Sequence, residues 1–227
     1  MPFSAHEAME VHEILLEKFN MITHFNLYAT QTTNPALLDM ITRHQQEEIL
    51  SYNYLVGLTR GGGRFMPIPP NTRIDASKEQ VDYGLRNPPE YRPDANATFS
   101  DREVAVGMLC CHKNAARNSS WASLECADPN MRRALLNAAA NCNHQGYEVW
   151  RYMNEQGWYE APTLNSQTQE NFLHSHQPAP AGLQQTYGVA DGRMALGGAP
   201  GGFATGGVNA GAQSVLYGNP TGGLLGQ

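Results

Sequence analysis

The chain has 227 residues and a mass of 24.9 kDa, which suits one ordinary domain with additional segments. Its 15 Lys+Arg against 21 Asp+Glu leave a net charge of -6, whereas a phosphate-backbone binder needs a basic surface. No apolar run approaches the roughly 20 residues that span a bilayer, and no block of like charges offers a polybasic anchor. The start, MPFSAHEAME, is acidic where a secretory leader is basic and then apolar. No nucleic-acid partner and no membrane insertion are expected. Synthesis in a cytosol is, with the four cysteines as thiols.

Four helices follow in chain order. Ser4 with Glu7 three residues on is a capping box, in which hydroxyl and carboxylate satisfy free amide donors. The stripe Ala8, Val11, Leu15, Phe19, Ile22 and Asn26 predicts a helix over about 4–30, with Glu7, Glu10, Glu13 and Glu17 on other faces. Asn34-Pro35 caps a second helix, about 34–58, which ends against Gly61-Gly62-Gly63. Six prolines between Pro67 and Pro93 forbid a long helix over 59–99. A loop of about 40 residues crosses a structure or does something specific. Ser100 with Glu103 opens a third helix, about 100–126, and Asp128-Pro129 a fourth, about 129–156, stopped at Gly157. The seam Leu135, Ala139, Cys142, Gly146, Val149 and Met153 includes small residues that let helices approach closely. Short, long, short connections predict an all-α, ferritin-like four-helix bundle over residues 1–165, two hairpins joined by a long crossover.

Fourteen of the 22 glycines fall in residues 182–227, where Asp191 and Arg193 are the only charges. Residues 166–227 are therefore expected as a flexible, Gly-rich low-complexity tail. Leu196, Phe203, Val208, Val215, Leu216, Tyr217, Leu224 and Leu225 sit in it as spaced stickers, suited to self-association or docking. Within the bundle, His44-Gln45, Glu48, Tyr52 and Gly57 recur at His144-Gln145, Glu148, Tyr152 and Gly157, an offset of 100 that suggests a duplicated hairpin.

A ferritin-like bundle raises the question of a di-metal site, which takes a Glu from each of two helices and a Glu-x-x-His pair from each of the others. No histidine here has Glu three residues before it. The reverse spacing leaves His44 with Glu48 and His144 with Glu148 as the alternative ligand set of a manganese or iron redox protein. On the fourth helix this pair lies on the polar face with Asn137, Asn141, Arg151 and Glu155, where mutual surface pairing is the more common outcome. Cys110, Cys111 and His112 come level with Cys142 and His144 when the second hairpin folds back. Cys110, Cys111, Cys126 and Cys142 are a thiol cluster open to three readings: buried packing, a soft-metal centre or oxidative crosslinks. No nucleophile elbow, phosphate loop, dinucleotide fingerprint or C-x-x-C is present. No catalytic residue, cofactor or resident metal is expected.

Residues 101–162 carry a resemblance. Asp101, Met108-Leu109, Lys113, Glu125, Asp128-Pro129, Arg132 or Arg133, Leu136, His144 and the closing Tyr152-Met153 with Gly157-Trp158-Tyr159 resemble the spore coat protein F family of endospore-forming bacteria. A weaker echo runs through residues 5–57. The resemblance implies a ferritin-like structural component of the spore coat, with no catalytic role. It further implies synthesis in the mother cell, other coat proteins as partners, and self-association. The cysteine-rich centre and the Gly-rich tail depart from the family pattern.

Overall fold

Helix starts follow the caps. In the computed structural model, which describes residues 3–74, 81–93, 95 and 98–187, Ser4 Oγ accepts from the Glu7 amide at 3.2 Å and Glu7 Oε2 from the Ser4 amide at 3.3 Å. That box opens α1 (Ala5–Gln31). Asn34 Oδ1 accepts from two amides to start α2 (Pro35–Thr59). Ser100 and Glu103 box the start of α3 (Asp101–Glu125), and Asp128 caps α4 (Pro129–Glu155).

Two helices end alike. At α2, Gly61 adopts φ +80°, and the Gly62 and Gly61 amides bond back to the Gly57 and Leu58 carbonyls. At α4, Gly157 adopts φ +68°, and the Trp158 and Gly157 amides bond to the Met153 and Asn154 carbonyls. Both are Schellman stops, which use a left-handed residue that only glycine adopts without strain. Trp158 then packs against the core, its ring 5.7 Å from Tyr152, and Tyr159 receives Lys113 Nζ at 5.2 Å from its ring.

α1 packs on α2 and α3, and α4 on α3 and α2, so each helix gives one face to a shared core. The α1 face is Glu7, Val11, Ile14, Lys18, Met21 and Phe25, the three-four spacing of a helical seam. This corrects the expected stripe: Phe19 is 61% exposed and Ala8 and Asn26 also face out. Two ionisable residues, Glu7 and Lys18, hold core positions and mask the pattern. One apolar cluster gathers around Phe25, Met108, Val149 and Met153, a second around Val11, Leu55, Met131 and Leu135. Along α1 they part at Lys18, and along α2 at His44, Glu47, Glu48 and Ser51, all buried.

The crossover is held by α4. Asn137 Oδ1 accepts the Ile68 amide at 2.8 Å, while Asn137 and Asn141 Nδ2 donate to the Ile68 carbonyl. Asn130 holds the Phe65 amide, and Asn154 bonds both the amide and the carbonyl of Asp82. The polar face of α4 is therefore no solvated surface: Asn141, Glu148, Arg151 and Asn154 are buried.

Residues 166–187 belong to a separate unit. Where a flexible tail is expected to begin, the chain forms two short exposed helices, α5 (Ser166–Leu173) and α6 (Ala181–Thr186). The eight sticker residues lie outside the described residues.

Gly157→Ala is expected to cost about 1–2 kcal/mol, the penalty of the left-handed conformation. Gly57→Ala, inside α2 with nothing within 4 Å of an added Cβ, is expected to stabilise by about 0.5–1 kcal/mol. Urea denaturation of the two variants beside the parent reads both signs.

Candidate functional site

Between the two apolar clusters the core turns polar. Lys18 Nζ of α1 donates to Glu48 Oε2 of α2 at 2.7 Å, with both side chains almost fully buried. The other carboxylate oxygen accepts from Cys142 Sγ of α4 at 3.3 Å. One turn before Glu48, His44 bridges the remaining helices. Its Nε2 stands 2.8 Å from Glu148 Oε2 of α4, and its Nδ1 stands 3.0 Å from His112 Nε2 of α3. Arg43 grips both Glu148 oxygens, at 3.0 and 2.9 Å, and the Arg73 amide of the crossover donates to Oε1 at 2.8 Å.

The electrostatics assign the protons. Burial alone would push the Glu148 carboxyl up, but donation from His44, Arg43 and the Arg73 amide holds it at about 2. An ionised carboxylate only accepts, so His44 Nε2 carries hydrogen. Burial lowers His44 below the usual imidazole range and keeps the ring neutral, so its Nδ1 is bare and accepts from His112 Nε2. Burial, reinforced by His44 and Lys18, holds His112 well below that range. Its Nδ1 is then a bare lone pair, with no hydrogen-bond partner among the described residues. Opposing burial, Glu48 keeps Lys18 charged and above its ordinary value. Desolvation raises the Cys142 thiol well above its usual range, with the Glu48 charge adding to it.

The expected ligand set His44, Glu48, His144 and Glu148 is only partly gathered. His44, Glu48 and Glu148 are buried, whereas His144 is exposed on α4. Glu148 faces inward, which corrects its placement on a surface polar face. Both His44 nitrogens and both Glu148 oxygens already have partners, so this set does not fit a carboxylate-rich di-metal centre. All four cysteines are free: Cys110 is exposed, Cys111 half-buried, and Cys126 and Cys142 buried. Burial pushes the Cys111 thiol up to about 11 and Cys126 up to about 12, which makes both poor nucleophiles. Gly157, Trp158 and Tyr159 are a helix stop.

Sequence reasoning missed Lys18 as a member of the centre, and it set His112 level with Cys142 without pairing it to His44. Lys18 lacks a carboxylate at helical spacing on its own face, and His112 follows Leu109 with no acidic partner on its helix. The signal that was available is the three-four register of α1, which puts Lys18 between Ile14 and Met21.

The centre also fixes a pH response. His44 and His112, depressed in the fold, contribute stability above pH 6.5 that is lost on acidification. The Glu148 contribution is lost as pH falls from 4.5 through about 2. Glu47 runs the other way. Burial raises it from 4.5 to about 7, so its contribution is full below pH 4.5 and lost as pH rises through 7. Glu47→Gln is therefore expected to melt above the parent at pH 8 and level with it at pH 4, by scanning calorimetry at both pH values.

Removing one member of a buried ion pair leaves an uncompensated charge, at a cost of about 3–5 kcal/mol. Lys18→Met is expected to lose that much. Glu48→Gln combined with it recovers a large part, as a double-mutant cycle in urea will read.

The fold and its centre define an all-α protein whose core charges are matched within the chain. Residues 100–162, comprising α3, α4 and the Gly157-Trp158-Tyr159 stop, match the Coat F domain family. Spore coat protein F-like protein YhcQ of Bacillus subtilis (strain 168) is 25% identical over 184 residues, which cover 81% of this chain and 84% of that protein. A solved structure of a candidate spore coat protein from Bacillus halodurans C-125 superposes with a TM-score of 0.55 at 16% identity. It covers 73% of this chain and 97% of that one, and at that identity the likeness concerns the fold. The resemblance to the spore coat protein F family therefore holds.

Proposed function

We propose that this protein is a structural component of the bacterial endospore coat. It is a non-catalytic, ferritin-like four-helix bundle that assembles with itself and with other coat proteins. The observation that carries the reading is the Coat F match over the α3–α4 hairpin, beside a coat-named relative along most of the chain. The centre supports it. Lys18 neutralises Glu48 and Arg43 neutralises Glu148, so these two pairs serve to hold α1, α2 and α4 in place. The described residues include no helix long and apolar enough to cross a membrane.

In this reading residues 1–165 are the rigid body and residues 166–227 the assembling segment, whose spaced apolar residues give many weak contacts. Exposed Cys110 is the thiol placed to crosslink between molecules.

Full-length protein is expected in the coat fraction of purified spores. A chain ending at residue 165 is expected to melt within a few degrees of the parent yet be depleted from that fraction. Equal incorporation of the two would remove the role of the segment, and retention of the full chain in the mother-cell cytosol would remove the coat assignment.

A further inference from the structure

We infer that Glu48, His112 and Cys142 form a zinc site that ties α2, α3 and α4 together and that Lys18 holds closed. One ligand atom from each residue lies within 4.8 Å of the other two, and all three residues are buried. A second observation is independent of that spacing. His112 is completely buried, and its Nδ1 finds no hydrogen-bond partner among the described residues. Imidazoles that bind metal do so through one nitrogen while donating the other N–H to a neighbour, which fixes tautomer and ring orientation. His112 Nε2 stands 3.0 Å from His44 Nδ1, His44 Nε2 stands 2.8 Å from Glu148, and Arg43 holds Glu148. The supporting shell of a metal-ligating histidine is complete.

The donor set selects the metal. A thiolate, a neutral imidazole and one carboxylate are ligands that tetrahedral zinc accepts, leaving the fourth position for water. Bonds of about 2.3 Å to sulfur and about 2.0–2.1 Å to nitrogen and oxygen place ligand atoms about 3.3–3.6 Å apart. Cys142 Sγ and Glu48 Oε1 already stand 3.3 Å apart. Drawing in the third ligand takes about an ångström of side-chain movement, within what a rotamer adjustment supplies.

Lys18 is the competitor, because its ammonium and zinc claim the same carboxylate. On binding, the Cys142 S–H bond breaks and its proton leaves to solvent as the sulfur–zinc bond forms. Lys18 releases Glu48 and turns to Glu47, with which it already interacts. Zinc brings in two positive charges and the thiol proton carries one out, and zinc with one thiolate and one carboxylate is itself neutral. The site is independent of where the protein resides.

Cobalt(II) is the probe, added as its chloride to untagged full-length protein under reducing conditions. One equivalent is expected to bind, with the visible bands of tetrahedral cobalt and a thiolate-to-cobalt charge-transfer band, all removed by zinc chloride. Cys142→Ser is expected to abolish the charge-transfer band, and the double change Cys110→Ser with Cys111→Ser to leave it intact. Lys18→Met is expected to bind about tenfold more tightly or better, the size of effect that outer groups have on metal affinity. Lys18→Gln replaces it where Lys18→Met does not fold. Failure of the folded parent to bind cobalt would overturn the site, as would a band that survives Cys142→Ser. Unchanged affinity in the Lys18 variant would overturn the latch.

Discussion

Glu48 is a carboxylate buried in the core, and the packing of the first hairpin depends on its partner. An ionised carboxylate out of water is unfavourable by several kcal/mol unless a cation reaches it. Lys18 is just as buried and just as dependent. Sliding α1 against α2 by one turn would separate the two and strand both charges, so the pair admits a single register. The relay from Arg43 through Glu148 and His44 to His112 does the same for α2, α3 and α4. Apolar contact fills the two ends of the core, and the charged middle aligns them.

That middle is also where the sequence was hardest to interpret. Helix starts were legible because a cap is local: Ser4, Asn34, Ser100 and Asp128 bond to amides two or three residues away. The α4 seam was legible because its residues are apolar or small. The α1 seam was not, since Glu7 and Lys18 occupy two of its positions and polar residues read as surface. His44 and Glu48 could be placed near the core from their apolar neighbours. Glu148 could not, because its partners Arg43, His44 and Arg73 are 75 to 105 residues away in sequence, and no spacing rule on one helix reports them. The contact of His112 with His44 was hidden for the same reason.

The repeat between the hairpins is matched unevenly in the structure. Gly57 lies inside α2, four residues before the left-handed Gly61, whereas Gly157 is itself the left-handed residue after α4. His44 is buried and His144 exposed. Glu48 and Glu148 are both buried, whereas the glycines and the leading histidines at that offset occupy unlike environments. The Gly157-Trp158-Tyr159 signature, by contrast, has a complete physical account: glycine turns the chain, the Trp158 amide closes the last turn, and its ring covers Tyr152.

The way α4 holds the crossover has a consequence for how such a protein can diverge. Asn130, Asn137 and Asn154 grip amides and carbonyls of the loop rather than its side chains. Any residue other than proline offers the same amide. The side chains of Met66 and Leu85, which project outward, are free to vary without loosening the strap. Lineages can thus redecorate this surface while the helices beneath it stay unchanged.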